Sequence, residues 1–291
     1  MKLVKNAYAK INLGLDVIRR RDDGYHEVKM IMQMTGLYDT LVFESREDDK
    51  IYIHTDHAKV PCDEHNLIYK AAMILFEETG RRLGADITLE KRIPVAAGMA
   101  GGSTDAAAAL LAFNEMLGQP LDYERLKKIA VRIGADVPYC VIGGTALSEG
   151  IGEILTALPA PPEAYLVIAK PDIDVSTAFV YQNLHLEHVS CHPDIDGMAE
   201  ALRAGDLKRI TELMGNVLET VTIPAYPVIG EIKRICCEEG AMNALMSGSG
   251  PTVFAVYDNK EKAENAARRI KDEGLSQEVF LTGFQKTEVA G

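Results

Sequence analysis

Ile93-Pro94-Val95-Ala96-Ala97-Gly98-Met99-Ala100-Gly101-Gly102-Ser103-Thr104-Asp105-Ala106-Ala107-Ala108-Ala109-Leu110-Leu111 decides the reading of this chain. Ahead of it, Ala85-Asp86-Ile87-Thr88-Leu89-Glu90 alternates apolar and polar residues, the period of a half-buried strand. Behind it, Ser103 to Leu117 is rich in Ala and Leu and predicts a helix that closes at Gly118, with Pro120 beyond. Between the two lies a loop of small residues without a charged side chain. Strand, loop and helix start gather free backbone N–H groups around one point, and the helix dipole adds partial positive charge there. A phosphate is the fitting guest. The same glycines would also serve a tight turn or a close packing contact, so the phosphate reading needs support elsewhere. No Lys follows the last Gly, so this is not a Walker loop, and the spacing is not that of a dinucleotide fingerprint.

A chain of 291 residues is long for one domain and comfortable for two. Its 47% hydrophobic and 25% charged residues are the balance of a soluble globular protein with ample core. With 43 acidic against 31 basic residues the formal net charge is -12, which argues against a binder of nucleic acid or of anionic membrane. The five cysteines form no C-x-x-C pair and two are adjacent, so reduced thiols are expected, with no disulfide framework and no zinc site. No signal peptide and no apolar run near ~18 residues is visible, and a cytoplasmic location is the expectation.

Residues 3–18 alternate well enough for a strand or two, Asp22-Asp23-Gly24 is a turn, and Tyr25 to Met34 resumes a strand, which predicts a hairpin. Leu41–Phe43 and Ile51–His54 read as further short strands. Asn66 to Thr79 has helical spacing and ends at Gly80. A second helix is expected over Asp122–Ile133, a short one from Gly134-Ala135-Asp136-Val137-Pro138, and a strand at Gly143–Leu147. Pro159-Ala160-Pro161-Pro162 is the best linker. Beyond it come a strand at Ala164–Ala169 and helices near 176–184, 194–204, 206–219 and 225–239. Strand 241–246, loop Ser247-Gly248-Ser249-Gly250-Pro251, strand 252–257, helix 260–273 and strand 277–283 then suggest an open α+β sandwich.

Several residues carry two readings. Lys10 lies among alternating apolar neighbours; a strand lysine ordinarily faces solvent, but it could stand beside a phosphoryl group or a carboxylate. Asp136 precedes a helix and suits an N-cap, or it could be a general base taking a hydroxyl proton. Tyr25-His26 after a hairpin turn is a surface pair or a stacking and hydrogen-bonding site for a planar base. Ser247–Pro251 is a tight turn or a second small-residue loop pressed against a ligand. His185, His188 and His192 lack metal-site spacing, and no metal site is expected there.

Taken together, three separated segments resemble the GHMP kinases, the family of galactokinase and of homoserine, mevalonate and phosphomevalonate kinases. Pro94–Ala107 resembles their phosphate loop, Ala7-Tyr8-Ala9-Lys10-Ile11-Asn12-Leu13 their first motif, and Ser247–Thr252 their glycine-rich third. Ala9–Leu13, Asp23-Gly24-Tyr25-His26 and Gly134–Pro138 further resemble the branch acting on diphosphocytidyl-methylerythritol in the non-mevalonate isoprenoid route. The resemblance runs from Lys5 to about Tyr257. Met99 stands where Leu is common and Thr104 where a second Ser is common, departures that keep size or hydroxyl. Homoserine or a mevalonate derivative as acceptor, or a nucleotide-binding protein without catalysis, are the alternatives; a dinucleotide oxidoreductase lacks its fingerprint.

The resemblance implies an α+β, two-domain fold. Residues 1–158 would be an ATP-binding domain with a left-handed βαβ crossover, and 163–291 an α/β sandwich, with substrate in the cleft between. It implies that Pro94, Val95, Ala96, Ala97, Gly98, Met99, Ala100, Gly101, Gly102, Ser103 and Thr104 wrap the ATP phosphates, with Asn66 and Leu67 bordering the adenine. Asp136 would take the proton of the attacking 2-hydroxyl, and Lys10 would keep Asp136 ionised and steady the developing charge. Asn12 would hold the erythritol portion, Tyr25 would stack on the cytosine, His26 would bond its edge, and Tyr181 would cover its other face. Mg²⁺ is expected with ATP, held by Ser103 or Thr104 or by the phosphates alone. Lys170 and Arg19–Arg21 are candidates for adding positive charge to the cleft, with a solvated surface position the more ordinary reading for each, and a monomer or weak homodimer is expected.

Overall fold

The computed structural model describes residues 1–286; residues 287–291 of the expected second domain lie outside the described residues. The first half runs β1 (Lys2–Arg20), β2 (His26–Arg46), β3 (Ile51–His54), α1 (Leu67–Thr79), β4 (Gly84–Glu90), α2 (Gly101–Met116), α3 (Tyr123–Ala130), α4 (Val137–Ile142), β5 (Thr145–Glu149) and β6 (Ile154–Leu158). The second half runs β7 (Tyr165–Lys170), α5 (Thr177–Gln182), a single 3₁₀ turn, α6 (Ile195–Ala204), α7 (Leu207–Leu213), β8 (Gly215–Asn216), α8 (Glu219–Ala225), α9 (Val228–Glu238), β9 (Asn243–Met246), β10 (Val253–Tyr257), α10 (Lys260–Asp272) and β11 (Glu278–Gly283).

The expected hairpin is β1–β2, and its turn is closed by the Arg21 N–H donating to the Tyr25 carbonyl at 2.8 Å. The strands expected separately at Tyr25–Met34 and Leu41–Phe43 are one strand. Its ladder slips register between Tyr8–Tyr38 and Lys10–Met34 without ending, and that bulge hides the continuity from any alternation test. One edge of β2 follows β1; the other takes β5 along Met30–Gln33 and β4 along Thr40–Arg46. β3 pairs parallel with β4, so β3–α1–β4 is the crossover unit. Helices α1 to α4 cover one face of this sheet, where Phe43, Phe76 and Phe113 meet edge to face at centroid distances of 5.6 and 5.4 Å. β6, on which the sequence pattern was silent, is a mostly exposed edge strand against β5.

In the second half β11-β7-β10-β9 form an antiparallel sheet with α9 and α10 on one face. Its other face does not meet water. Leu166, Ile168, Phe254 and Val256 join Ile195, Met198 and Leu202 of α6 and Ala9, Ile11 and Leu13 of β1 in a single buried cluster. Alternate residues of β1 thus fill the space between the two halves, and the polar residues among them, Lys10 and Asn12, face the opposite way.

The helix expected over 206–219 is broken. α7 ends at Leu213, and Gly215–Asn216 pairs parallel with Gly14 and Leu15 of β1. The buried Asn216 side chain donates to the Met246 and Gly248 carbonyls, both at 2.8 Å, and accepts from the Leu218 N–H at 3.0 Å. Satisfying that amide fully requires leaving the helix. The helix expected over 122–133 stops at Ala130, and that over 225–239 begins only after Pro227.

Candidate active site

The stretch between β4 and α2 builds a concave backbone surface. Ala96, Gly98 and Ala100 have φ of 54°, 70° and 56°, whereas Val95, Ala97 and Met99 do not enter the left-handed region. Such alternation turns successive N–H groups toward one side and makes an anion cradle. α2 opens two residues earlier than the sequence suggested, at Gly101, with no side-chain cap, so its first N–H groups are left for a guest. The third motif clamps the loop: Ser247 Oγ donates to the Gly98 carbonyl at 2.9 Å. Lys10 Nζ donates to the same carbonyl at 3.3 Å, and the Lys10 backbone N–H to the Met99 carbonyl at 3.1 Å.

Two cavities lie on either side of this loop, and both are bounded by Gly98 and Ala100. The first, of about 360 Å³, is lined by the loop from Pro94 to Ser103 except Met99, and by Asn66 and Leu67. Met99 is buried in the apolar cluster between the halves. Thr104 is buried too and its hydroxyl donates to the Tyr8 carbonyl at 2.8 Å, which leaves Ser103 as the loop hydroxyl on the cavity wall. Asn66 is engaged at both ends, donating to the Pro61 carbonyl at 2.7 Å and accepting from the Ile68 N–H at 2.9 Å as the N-cap of α1. Asn66→Ala is expected to lower stability by about 1 kcal/mol, read by urea unfolding, and to weaken nucleotide binding by loosening this wall.

The second cavity, of about 620 Å³, brings together Lys10, Asn12, Tyr25, His26, Asp136 and Tyr181. Residues separated by more than a hundred positions thus meet. Lys10 is buried and its ammonium donates to Asn12 Oδ1 at 2.8 Å. Asp136 occupies the position before α4 with φ -83° and ψ -14°, but its side chain does not cap that helix. Among the described residues its carboxylate has no hydrogen bond and no ion pair within 4.0 Å, Lys10 included, so it stands free on the cavity wall. His26 and Tyr181 lie with ring centroids 5.0 Å apart, while Tyr25 is 62% exposed at the rim. Burial, and then the charge of Arg20, hold the His26 pKa below its usual value, which keeps the imidazole neutral. Burial, and then the Asp136 carboxylate, push the Tyr181 phenol up to about 12. From the third motif, Ser249 lines this cavity and its hydroxyl lies 2.8 Å from that of Thr177.

Of the three arginines offered as contributors to the cleft, Arg20 lines this cavity, whereas Arg19 and Arg21 pair with Glu27 and Asp23. Lys170 is neither on the surface nor on this cavity: it is buried on β7 with Asp174 and Glu278 nearby, a correction to the sequence reading. Sequence reasoning also passed over Lys91, Asp39 and Asp105. Lys91 and Asp105 line the first cavity, and all three side chains are at most 5% exposed. Burial pushes the Asp105 carboxyl up to about 8, with Lys91 opposing and Asp39 reinforcing the shift. A lone acidic residue inside the Ala-rich run of α2 was the available signal.

The family profile described as GHMP kinases N terminal domain matches residues 66–144, and that described as GHMP kinases C terminal matches residues 198–275. The chain belongs to the GHMP kinase family. A relative from Lachnoclostridium phytofermentans, 4-diphosphocytidyl-2-C-methyl-D-erythritol kinase, is 51% identical over 278 residues, 96% of each chain. A solved structure of 4-(cytidine 5'-diphospho)-2C-methyl-D-erythritol kinase superposes with a TM-score of 0.84 at 31% identity, covering 98% of this chain and 100% of that one. Homoserine kinase from Cytophaga hutchinsonii shares the fold at a TM-score of 0.80, 20% identity and coverage of 99% and 96%. Among the described residues of this GHMP kinase no helix is long and apolar enough to cross a membrane.

Proposed function

We propose that this GHMP kinase transfers the γ-phosphoryl group of ATP to the 2-hydroxyl of 4-diphosphocytidyl-2-C-methyl-D-erythritol, a step toward isoprenoid precursors. The observation that carries the reading is the contact of two cavities at Gly98 and Ala100. Nucleotide on one side and alcohol on the other would meet across the anion cradle, the arrangement an in-line displacement needs. The relatives named above support the choice of acceptor, and so does a wall of Tyr25, His26 and Tyr181 suited to a planar base.

In this reading Asp136 takes the hydroxyl proton as the oxygen attacks. Lys10, fixed by Asn12 and the Gly98 carbonyl, places positive charge where the transferring group passes. Neutral His26 exchanges hydrogen bonds with the edge of the cytosine while Tyr25 and Tyr181 cover its faces, and Arg20 faces the diphosphate. Asn12 holds the erythritol portion. Among the described residues no group of three or more acidic, His or Cys side chains could cage a cation. Mg²⁺ would be held chiefly by the ATP phosphates and water, with Ser103 adjoining, and it neutralises phosphate charge when bound. In this reading the enzyme acts as a monomer or weak homodimer. The five cysteines are free, as in a cytoplasmic protein.

The test is MgATP-dependent phosphorylation of the cytidine substrate followed by product mass, beside homoserine and mevalonate. Turnover of the cytidine substrate alone is expected. Turnover of either control instead would keep the fold and discard the roles of Tyr25, His26 and Tyr181.

A further inference from the structure

We propose that Asp39, Lys91 and Asp105 form a buried tether that holds the phosphate loop in its binding shape, with Lys91 a positioning residue and not a ligand of the ATP phosphates. The inference rests on the kinase reading above.

A lysine on the nucleotide cavity wall beside an anion cradle invites assignment as the phosphate cation. Its surroundings argue otherwise. The Lys91 side chain is 4% exposed, and its ammonium is shared between the Asp39 carboxylate and Asp105 Oδ2, the latter at 3.1 Å. The three residues stand on three elements that frame the loop. The β2–β4 ladder pairs Thr40 with Glu90, which sets Asp39 beside Lys91 where β4 ends, and Asp105 lies near the start of α2. Asp39 Oδ1 also accepts the N–H groups of Arg92 at 2.6 Å and Ile93 at 2.8 Å. The strand exit and the helix start are therefore tied to β2 through one cluster.

The loop needs such a hold. Met99 and Thr104 anchor its far end, but Ala96, Ala97, Gly98 and Ala100 offer little to hold, and Ala96 and Ala100 sit in a backbone region that alanine disfavours, which persists only where the surroundings impose it. The helix start is packed down on the tether: a Cβ at Gly101 would lie 3.0 Å from Lys91 Nζ and 3.1 Å from Ile93 Cγ2. Asp105 Oδ1 is buried without a partner. A buried ion cluster with an unsatisfied oxygen is a poor device for stability, and fixing geometry is the use that remains.

Asp105→Asn in the full chain separates the two roles by sign. A phosphate-binding Lys91 held back by the Asp105 side chain would be released toward the cavity, and ATP would bind more tightly. A tether would loosen: kcat/KM for ATP falls by about 10- to 100-fold and a fluorescent ATP analogue binds more weakly. Cytidine diphosphate, which occupies the other cavity, would keep its affinity within about twofold. Lys91→Met is expected to act in the same direction, and the double variant to be no worse than the weaker single. If Lys91→Met does not fold, Asp105→Asn decides. Tighter nucleotide binding, unchanged kinetics, or equal losses for ATP and cytidine diphosphate would each overturn the tether. Wild-type turnover is measured first, so a failure of the kinase reading shows in the wild type, whereas a failure of the tether shows only in the variants; analogue binding tests it in either case.

Discussion

Asp136→Asn lowers kcat by about 10³-fold, while KM for ATP and for the cytidine substrate stays within roughly threefold of wild type. The substitution is isosteric, so the cavity keeps its shape and its contacts with ground-state substrate. What it removes is the capacity to accept a proton as the 2-hydroxyl becomes nucleophilic, a loss confined to the transition state. The choice of Asn also isolates the role. Asn caps a helix about as well as Asp, so a capping Asp136 would tolerate the change with activity intact. The side chain makes no capping bond, so stability should stay within about 0.5 kcal/mol of wild type. Steady-state kinetics with both substrates, beside thermal unfolding, check this; an unchanged kcat would return Asp136 to the ordinary start of a helix.

Gly98→Ala should damage both stability and activity. Gly98 has φ +70°, and a Cβ there would lie 2.3 Å from the Ser247 carbonyl oxygen and 3.0 Å from that of Gly250. Both obstacles are backbone, so neither can swing aside. Backbone strain and overpacking together cost about 2–5 kcal/mol. Relief requires the third motif to part from the phosphate loop where both cavities meet, and kcat/KM should fall by about 100-fold or more. Gly118→Ala is the matched control, since Gly118 has φ +82° with nothing within 4 Å and lies away from the site. It should show strain of about 1 kcal/mol in urea unfolding with full activity. Equal behaviour of the two variants would mean that the contact between the loops does not matter.

The sequence carried the fold wherever its signals were local. Strand β4, the small-residue loop and helix α2 announce themselves through alternation, glycine and alanine content. So do the Asp22–Gly24 turn and the alternating elements from Asn243 to Gly283. The larger misses share one cause, which is long-range pairing, whereas the shortened helices are errors of local boundaries. β2 reads as two strands because its bulge answers to β1, and the break at Gly215–Asn216 answers to β1 and to the third motif. The site divides in the same way. Lys10, Asp136 and Tyr25-His26 were singled out because they fall in segments that resemble the family; local pattern alone left each with an ordinary reading as well. Asp39 looks like any strand aspartate and Lys91 like any residue at a strand end until the ladder places them together. Arg20 differs from Arg19 and Arg21 only in the side of the strand on which it emerges.

The pairing of Gly215–Asn216 with β1 has a consequence in time. β1 is made before the other strands described above, yet its outer edge stays open until residues some two hundred positions later have been made. Its buried alternate residues, Ala9, Ile11 and Leu13, wait as long for Leu166 and Phe254. An uncovered edge beside an uncovered apolar face is the form in which nascent chains associate wrongly. The strand that carries Lys10 is thus settled only once residues as far on as Phe254 exist. A truncated translation product would present ATP with an unfinished site rather than a slow one.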